Sequence, residues 1–317
     1  MTDTVLILNN DADWFAAQLR TSCPSFNYRP ATTARQALDY APDASILIGL
    51  APQISDQLLA AMPRLKWIHA LTTGVDNLLD SAYLTKTVTL SNSNGFHGPQ
   101  MSELAILLML STLRNFPKIM ENQKARIWER WPQPLLNGKT ACVVGLGAVA
   151  EGLAPRLNAL GMTLIGVSDG RADVPGFDEI YARKDLADAA GRADFLIVLV
   201  PYSPATHHII NDQILAAMAP GAILINLARG GCVDETALQA RLQSGALRAA
   251  ALDVFAQEPL PADNNLWTTP GLTITPHIGG FSDVYPQQVL PVVVENLTAW
   301  AAGGAAALPN PIAHGGM

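Results

Sequence analysis

Short apolar runs alternate with longer amphipathic stretches along this chain, in two successive series, and few folds accommodate that rhythm. The first series has strand candidates at residues 5–8, 46–50, 67–71 and 88–91, with helical patterns at 13–19 and 55–62. The second has strand candidates at 140–144, 162–167, 195–200, 222–227, 249–254 and 272–275, with helices at 149–160 and 235–243 among those between them. Apolar runs of this length, bounded by Gly, Pro, Asn and Asp, read as strands buried on both faces. Strands separated by helices imply right-handed crossovers and a mainly parallel sheet. The expectation is an α/β protein with two parallel-sheet domains.

The series are separated at residues 91–99 by SNSNGFHGP, whose Asn, Ser, Gly and Pro content marks a loop or hinge. Pro99 suits the first turn of a helix over 99–113, where its missing N–H costs nothing. Pro117 ends that helix. A second one is predicted over 118–129, and a segment carrying Trp128, Trp131 and two prolines follows. The last predicted helix covers 285–301, before a loose Ala/Gly tail.

A chain of 317 residues suits two domains at about 100–200 residues each. Its hydrophobic fraction is 49% and its charged fraction 15%, which excludes long disordered tracts. The net charge is −7 with no basic stripe, so no nucleic-acid partner is expected, while a small anion stays open. Cys23, Cys142 and Cys232 lie far apart and form no disulfide framework or CxxC pair, so no metal site is expected. No basic segment precedes the first apolar run, which predicts no signal peptide. The longest apolar stretch, 104–110, is short of the ~20 residues that span a bilayer. A cytoplasmic protein without a membrane partner is the expectation.

The run VVGLGAVA at 143–150 follows a predicted strand and opens a predicted helix, the context in which GxGxxA binds a dinucleotide. Gly145 permits the tight turn. Gly147 lets backbone approach a pyrophosphate. Ala150 allows close helix–sheet packing, with Gly152 assisting. The helix N-terminus presents N–H groups to phosphate. An acid is expected about 20 residues further on, to hold the ribose of NAD. Asp169 sits near that distance and would repel the 2′-phosphate of NADP. Arg171 could pair with that phosphate instead, and Ser168 could bond either group. NAD is preferred on this reading, with NADP possible.

Three polar residues follow predicted strands: Arg229 in INLARGG, Glu258 in LDVFAQEP and His277 in TPHIGG. Ligands of open α/β sheets bind outside the carboxyl ends of the strands. These side chains converge there if the strands are neighbours.

The motifs GLGAVA, PYSPATHHII, INLARGGCVDE, ALDVFAQEPL and TPHIGG, in that order, resemble those of the D-isomer-specific 2-hydroxyacid dehydrogenase family. LTTGVD at 71–76 resembles the family's substrate loop. The resemblance covers nearly the whole chain. It implies a Rossmann domain for NAD or NADP over 98–281, and a smaller, flavodoxin-like substrate domain over 1–97 and 282–317. The cleft lies between the two. The implied reaction is reduction of a 2-keto acid (glyoxylate, hydroxypyruvate or a bulkier one) to the D-2-hydroxy acid.

The resemblance also implies roles. His277 would be the general acid, a task suited to a group that titrates near neutrality. Glu258 would orient it and favour imidazolium. Arg229 would grip the substrate carboxylate with its guanidinium fork. Thr73, Gly74 and Val75 would bind the same carboxylate. Gly145, Leu146, Gly147, Ala148 and Val149 would hold the pyrophosphate, and Ser168, Asp169 and Arg171 the adenosine ribose. Val200, Pro201, Thr206 and Ala228 would line the dinucleotide site. Asp253 would sit near the nicotinamide carboxamide, with Gly279 and Gly280 beside the ring. Trp128 and Trp131 would serve a homodimer interface or reach the cleft.

Two departures inform. The formate-oxidising branch is expected to carry Gln where this chain has Glu258. The chain ends soon after the last predicted helix, which predicts no regulatory C-terminal domain. A nucleotide-sensing corepressor on the same scaffold is the alternative. The complete Arg–Glu–His set and the short ends favour the enzyme.

Overall fold

Fully apolar runs do become strands, and each sheet is covered on both faces. The computed structural model describes residues 2–313; Met1 and residues 314–317, which the expected substrate domain includes, lie outside it. The chain divides into two units, one of residues up to 96 together with those from 282, the other of residues 97–281.

The first unit begins β1 (Thr4–Leu8), α1 (Ala12–Ser22), β2 (Asn27–Ala31), α2 (Ala34–Tyr40) and β3 (Ile46–Gly49). It continues α3 (Asp56–Ala60), β4 (Trp67–Ala70), α4 (Asp76–Leu79) and β5 (Thr89–Asn92). The second unit runs α5 (Gly98–Arg114), α6 (Phe116–Ala125), β6 (Thr140–Val144), α7 (Ala148–Ala159), β7 (Thr163–Val167) and β8 (Glu179–Tyr181). Then come α8 (Leu186–Gly191), β9 (Phe195–Val198), α9 (Asp212–Ala217), β10 (Ile223–Asn226), α10 (Glu235–Gln243), β11 (Ala249–Leu252) and β12 (Leu272–Ile274). The chain returns to the first unit with α11 (Tyr285–Gly303) and β13 (Pro311–Ile312).

The first sheet has the order β13-β5-β4-β3-β1-β2. Its five long strands are parallel in the flavodoxin-like order, and β13 adds an antiparallel edge in the tail expected to be loose. The second sheet, β12-β11-β10-β9-β6-β7-β8, is parallel throughout. Its order is the doubly wound Rossmann order with one strand added, which leaves a switch point between β6 and β9.

Side chains alternate across each strand, so one run fills two cores. Val5, Ile7, Ile46, Ile48 and Trp67 pack with Phe15 and Leu19 of α1 and with Val289, Val293 and Leu297 of α11. Leu6, Leu8, Leu47 and Ile68 face the other way, towards Leu58 and Leu78. By length and composition the stretch Tyr285–Ala307 is apolar enough to cross a bilayer, with mean hydropathy 1.2. Its Tyr285, Val289, Val293 and Leu297 are buried in the first unit's core, while most of the stretch is not.

The elements that apolar patterning did not reveal are edge strands and short helices. β2 contains Arg29 and Pro30 and lies at a sheet edge, where a missing N–H is tolerated. β8 is also an edge strand and is nowhere fully buried. Ala150 lies on the buried face of α7, in one core with Val143 and Leu164 of the sheet. Gly152 serves another contact: a Cβ there would lie 3.1 Å from the Gly98 Cα, so this glycine lets α5 and α7 approach each other rather than the sheet.

Candidate active site

The dinucleotide fingerprint is built at the switch point. Gly145 has φ +100, and a Cβ there would meet the Val200 backbone N at 2.7 Å, so two independent constraints require glycine. Leu146 anchors the turn with its buried side chain, against Gly166 of β7, where a Cβ would meet Leu146 Cδ1 at 2.7 Å. Gly147 precedes α7, and nothing stands within 4 Å of a Cβ built on it. Ala148 and Val149 form the first turn of α7, whose N–H groups have no intrahelical partner. A cavity of about 260 Å³ opens here, lined by Gly145, Leu146, Gly147, Ser168, Asp169, Gly170, Arg183, Val200 and Pro201. Open backbone, a helix N-terminus and a cavity at the switch point fit the pyrophosphate and ribose of a dinucleotide.

Other expected cofactor contacts have internal partners. Arg171 donates through Nη1 to the Leu146 carbonyl at 2.8 Å and pairs with Glu151. Thr206 is buried; its hydroxyl donates to the Pro201 carbonyl at 2.7 Å and shapes the wall from behind. Ala228 is buried, and its N–H donates to Asn226 Oδ1 at 3.1 Å. Asp253, expected near the carboxamide, is buried just past β11 and bonds the loop that follows β12. Its Oδ1 accepts from the Thr275 hydroxyl at 2.6 Å and the Ile278 N–H at 3.0 Å, and its Oδ2 from the Gly279 N–H at 2.9 Å. The carboxylate therefore holds the loop carrying His277. Gly279 is packed so closely that a Cβ would lie 2.9 Å from Leu104 Cδ2.

Arg229, Glu258 and His277 do converge, because β10, β11 and β12 are consecutive neighbours in the sheet. Asn226 closes the turn after β10 by donating to the Arg229 carbonyl at 3.0 Å. A Cβ on Gly230 would stand 1.8 Å from the Phe255 carbonyl carbon, so the Arg229 turn lies backbone to backbone on the Glu258 loop. Glu258 is held at both oxygens: Oε1 accepts the Phe255 N–H at 2.8 Å, and Oε2 meets His277 Nδ1 at 2.6 Å. Burial pushes this carboxyl up, but the hydrogen bonds from His277 and Phe255 and the charges of His277 and Arg229 prevail and hold it below its ordinary value. His277 sits at φ +53, which costs about 1–3 kcal/mol for a non-glycine residue. The Asp253 bonds to the two following N–H groups hold it there. The His277 side chain is 43% exposed.

In the first unit, residues 72–75 follow β4. Thr73 donates its hydroxyl to the Ser93 carbonyl at 2.9 Å, and its own carbonyl accepts from Asn92 at 2.6 Å. Gly74 accepts the Thr72 hydroxyl at 2.8 Å, and Val75 is buried at the start of α4.

Sequence reasoning missed Glu235 and Arg183. Glu235, at the start of α10, accepts the Ala256 N–H at 2.6 Å and so braces the Glu258 loop. The VDE within INLARGGCVDE carried that residue, but not its distant partner. Arg183 follows edge strand β8, which patterning overlooked. Among the described residues no cluster of three or more His, Cys, Asp or Glu side chains is placed to hold a metal.

A dinucleotide cradle with an imidazole–carboxylate pair at neighbouring strand ends defines a Rossmann-type dehydrogenase. A sequence model described as D-isomer specific 2-hydroxyacid dehydrogenase, NAD binding domain, matches residues 106–279. Glyoxylate/hydroxypyruvate reductase B of Citrobacter koseri is 32% identical over 278 residues, covering 86% of this chain and 85% of that one. D-3-phosphoglycerate dehydrogenase of Methanocaldococcus jannaschii is 33% identical over 272 residues, covering 84% of this chain; the match spans 51% of that longer relative, about half its length. A family protein from Aeromonas salmonicida superposes with a TM-score of 0.91 at 33% identity, covering 99% of this chain and 100% of the other. The chain belongs to the D-isomer specific 2-hydroxyacid dehydrogenase family, whose members are NAD(P)-dependent oxidoreductases.

Proposed function

We propose that this protein reduces a small 2-keto acid to the D-2-hydroxy acid with NADH or NADPH. The observation that carries the reading is the 2.6 Å bond between His277 Nδ1 and Glu258 Oε2, next to the Arg229 turn. Arg229 takes the substrate carboxylate and polarises the adjacent carbonyl. Imidazolium at His277 delivers the Nε2 proton to the carbonyl oxygen, and Glu258 stabilises the charged ring and fixes its tautomer. The bound nicotinamide supplies the hydride. In the reverse direction neutral His277 is the base.

The relatives' names favour glyoxylate and hydroxypyruvate as first substrates to test, ahead of bulkier 2-keto acids. Loss of absorbance from NADH or NADPH with such a panel is the direct measurement; no turnover with any member refutes the reading.

The same proposal includes a cytoplasmic homodimer. Leu107, Phe116, Met120, Ile127, Trp128 and Leu135 are all exposed along one stretch of the second unit, Trp128 at 91%. Large apolar groups exposed in such number over 107–135 support a subunit interface. Light scattering of the wild type should give twice 33.7 kDa, and Trp128→Glu should lower it.

A further inference from the structure

We propose that Arg183 receives the 2′-phosphate of NADP(H) and that Asp169 serves to aim it, so that the cradle prefers NADP(H) to NAD(H). The inference rests on the dehydrogenase reading above and concerns the ribose end of the cavity. Strands β7 and β8 are parallel neighbours, with Val167 opposite Tyr181, so residues just past their ends are brought side by side. Asp169 Oδ1 accepts the Arg183 backbone N–H at 2.8 Å, and Oδ2 lies 3.3 Å from Arg183 Nε. Both carboxylate oxygens thus already have a partner, and the negative charge expected to repel a 2′-phosphate is compensated.

The arrangement suits a phosphate better than a ribose diol. A diol needs an accepting carboxylate, whereas a phosphate dianion needs donors and a cation. Asp169 engages Arg183 through the backbone and Nε. Nη1 makes a long 3.4 Å contact with the Ala205 carbonyl, and the Arg183 side chain is 39% exposed where the residue lines the cavity. Ser168 accepts the Gly170 N–H at 3.2 Å, which leaves its O–H to donate. A Cβ on Gly170 would meet nothing within 4 Å, so there is room for the extra group. Arg171, the cation closer in sequence, is tied to Glu151 and the Leu146 carbonyl.

The test is titration of the purified protein with NADP+ and NAD+, and with 2′,5′-ADP and 5′-AMP, followed by calorimetry. The wild type should bind NADP+ about tenfold more tightly than NAD+, the scale of a hydrogen bond to a charged group. Arg183→Ala should weaken NADP+ and 2′,5′-ADP by about tenfold or more and NAD+ by less than about threefold, with Arg183→Lys between. A melting temperature unchanged from the wild type shows that each variant is folded. A tighter wild-type Kd for NAD+, or equal shifts for both dinucleotides in Arg183→Ala, overturns the inference and leaves the dehydrogenase reading standing. If neither dinucleotide binds, both fall.

Discussion

Two histidines lie past or within strands of the two units, and their surroundings make them chemically unlike. His69, in β4 of the first unit, is completely buried, with Ser91 Oγ at 2.8 Å from Nδ1 and Ser93 Oγ at 2.9 Å from Nε2. Burial pushes its pKa down to about 3, so it stays neutral through the physiological range. His277, past β12 of the second unit, has a carboxylate on one nitrogen and a side chain that is partly exposed. Both units are doubly wound parallel sheets. The difference lies in what surrounds the side chain: hydroxyls within a strand enclose a neutral ring, and a carboxylate at a strand end pairs with a half-exposed one.

The largest expected effect tests the His277 side of the contrast. His277→Ala should lower kcat by about 10²–10⁴-fold and leave the dinucleotide Kd within about twofold, since the cradle is built from other residues. Equal losses in both would assign His277 to binding.

Glu258→Gln keeps the side chain's shape and removes its charge. A fall in kcat of about 10–100-fold is expected, and the acidic limb that belongs to the carboxylate should vanish from the pH profile, because Gln does not titrate. The sign follows from Glu258 itself. Its carboxyl is held below the ordinary value, so it is ionised at and above that value, and its support for His277 is lost only as pH falls through the depressed pKa. An unmoved profile would mean that Glu258 merely packs.

Glu235 should matter less, because it reaches the ring only through the Ala256 N–H. Glu235→Ala is expected to cost about three- to tenfold in kcat, and Glu235→Gln, which still accepts that N–H, to restore most of it. Equal losses in the two would point to the charge instead.

The smallest effect lies in the first unit and is one of stability. Between its ordinary pKa of about 6.5 and its folded value of about 3, His69 binds a proton in the unfolded chain and not in the folded one. Folding stability therefore falls as pH drops through this window, by about 2 kcal/mol between pH 6.5 and 5. His69→Gln should flatten that slope in urea denaturation, read from the fluorescence of buried Trp67, which donates to Ser91. A slope identical to the wild type would place the acid sensitivity elsewhere.

The strands buried on both faces were legible because they are continuously apolar, and the Rossmann turn because only glycine meets its φ and contact constraints. Arg229, Glu258 and His277 were legible as motif residues past strands. The edge strands β2 and β8 were not, since a half-exposed strand needs no apolar run. That omission hid Arg183, and with it the partner of Asp169.

Linear order was enough to establish the α/β rhythm, the fingerprint and the types of group available for acid–base work. Those features follow from local periodicity and backbone sterics, which act between residues near in sequence. The bracing of His277 by Asp253, the seating of the Arg229 turn on the Glu258 loop through Gly230, and the Asp169–Arg183 pair arise only when strands distant in sequence become neighbours. The reason is physical: hydrogen bonds and ion pairs act over a few ångströms, and strand pairing sets which residues come that close.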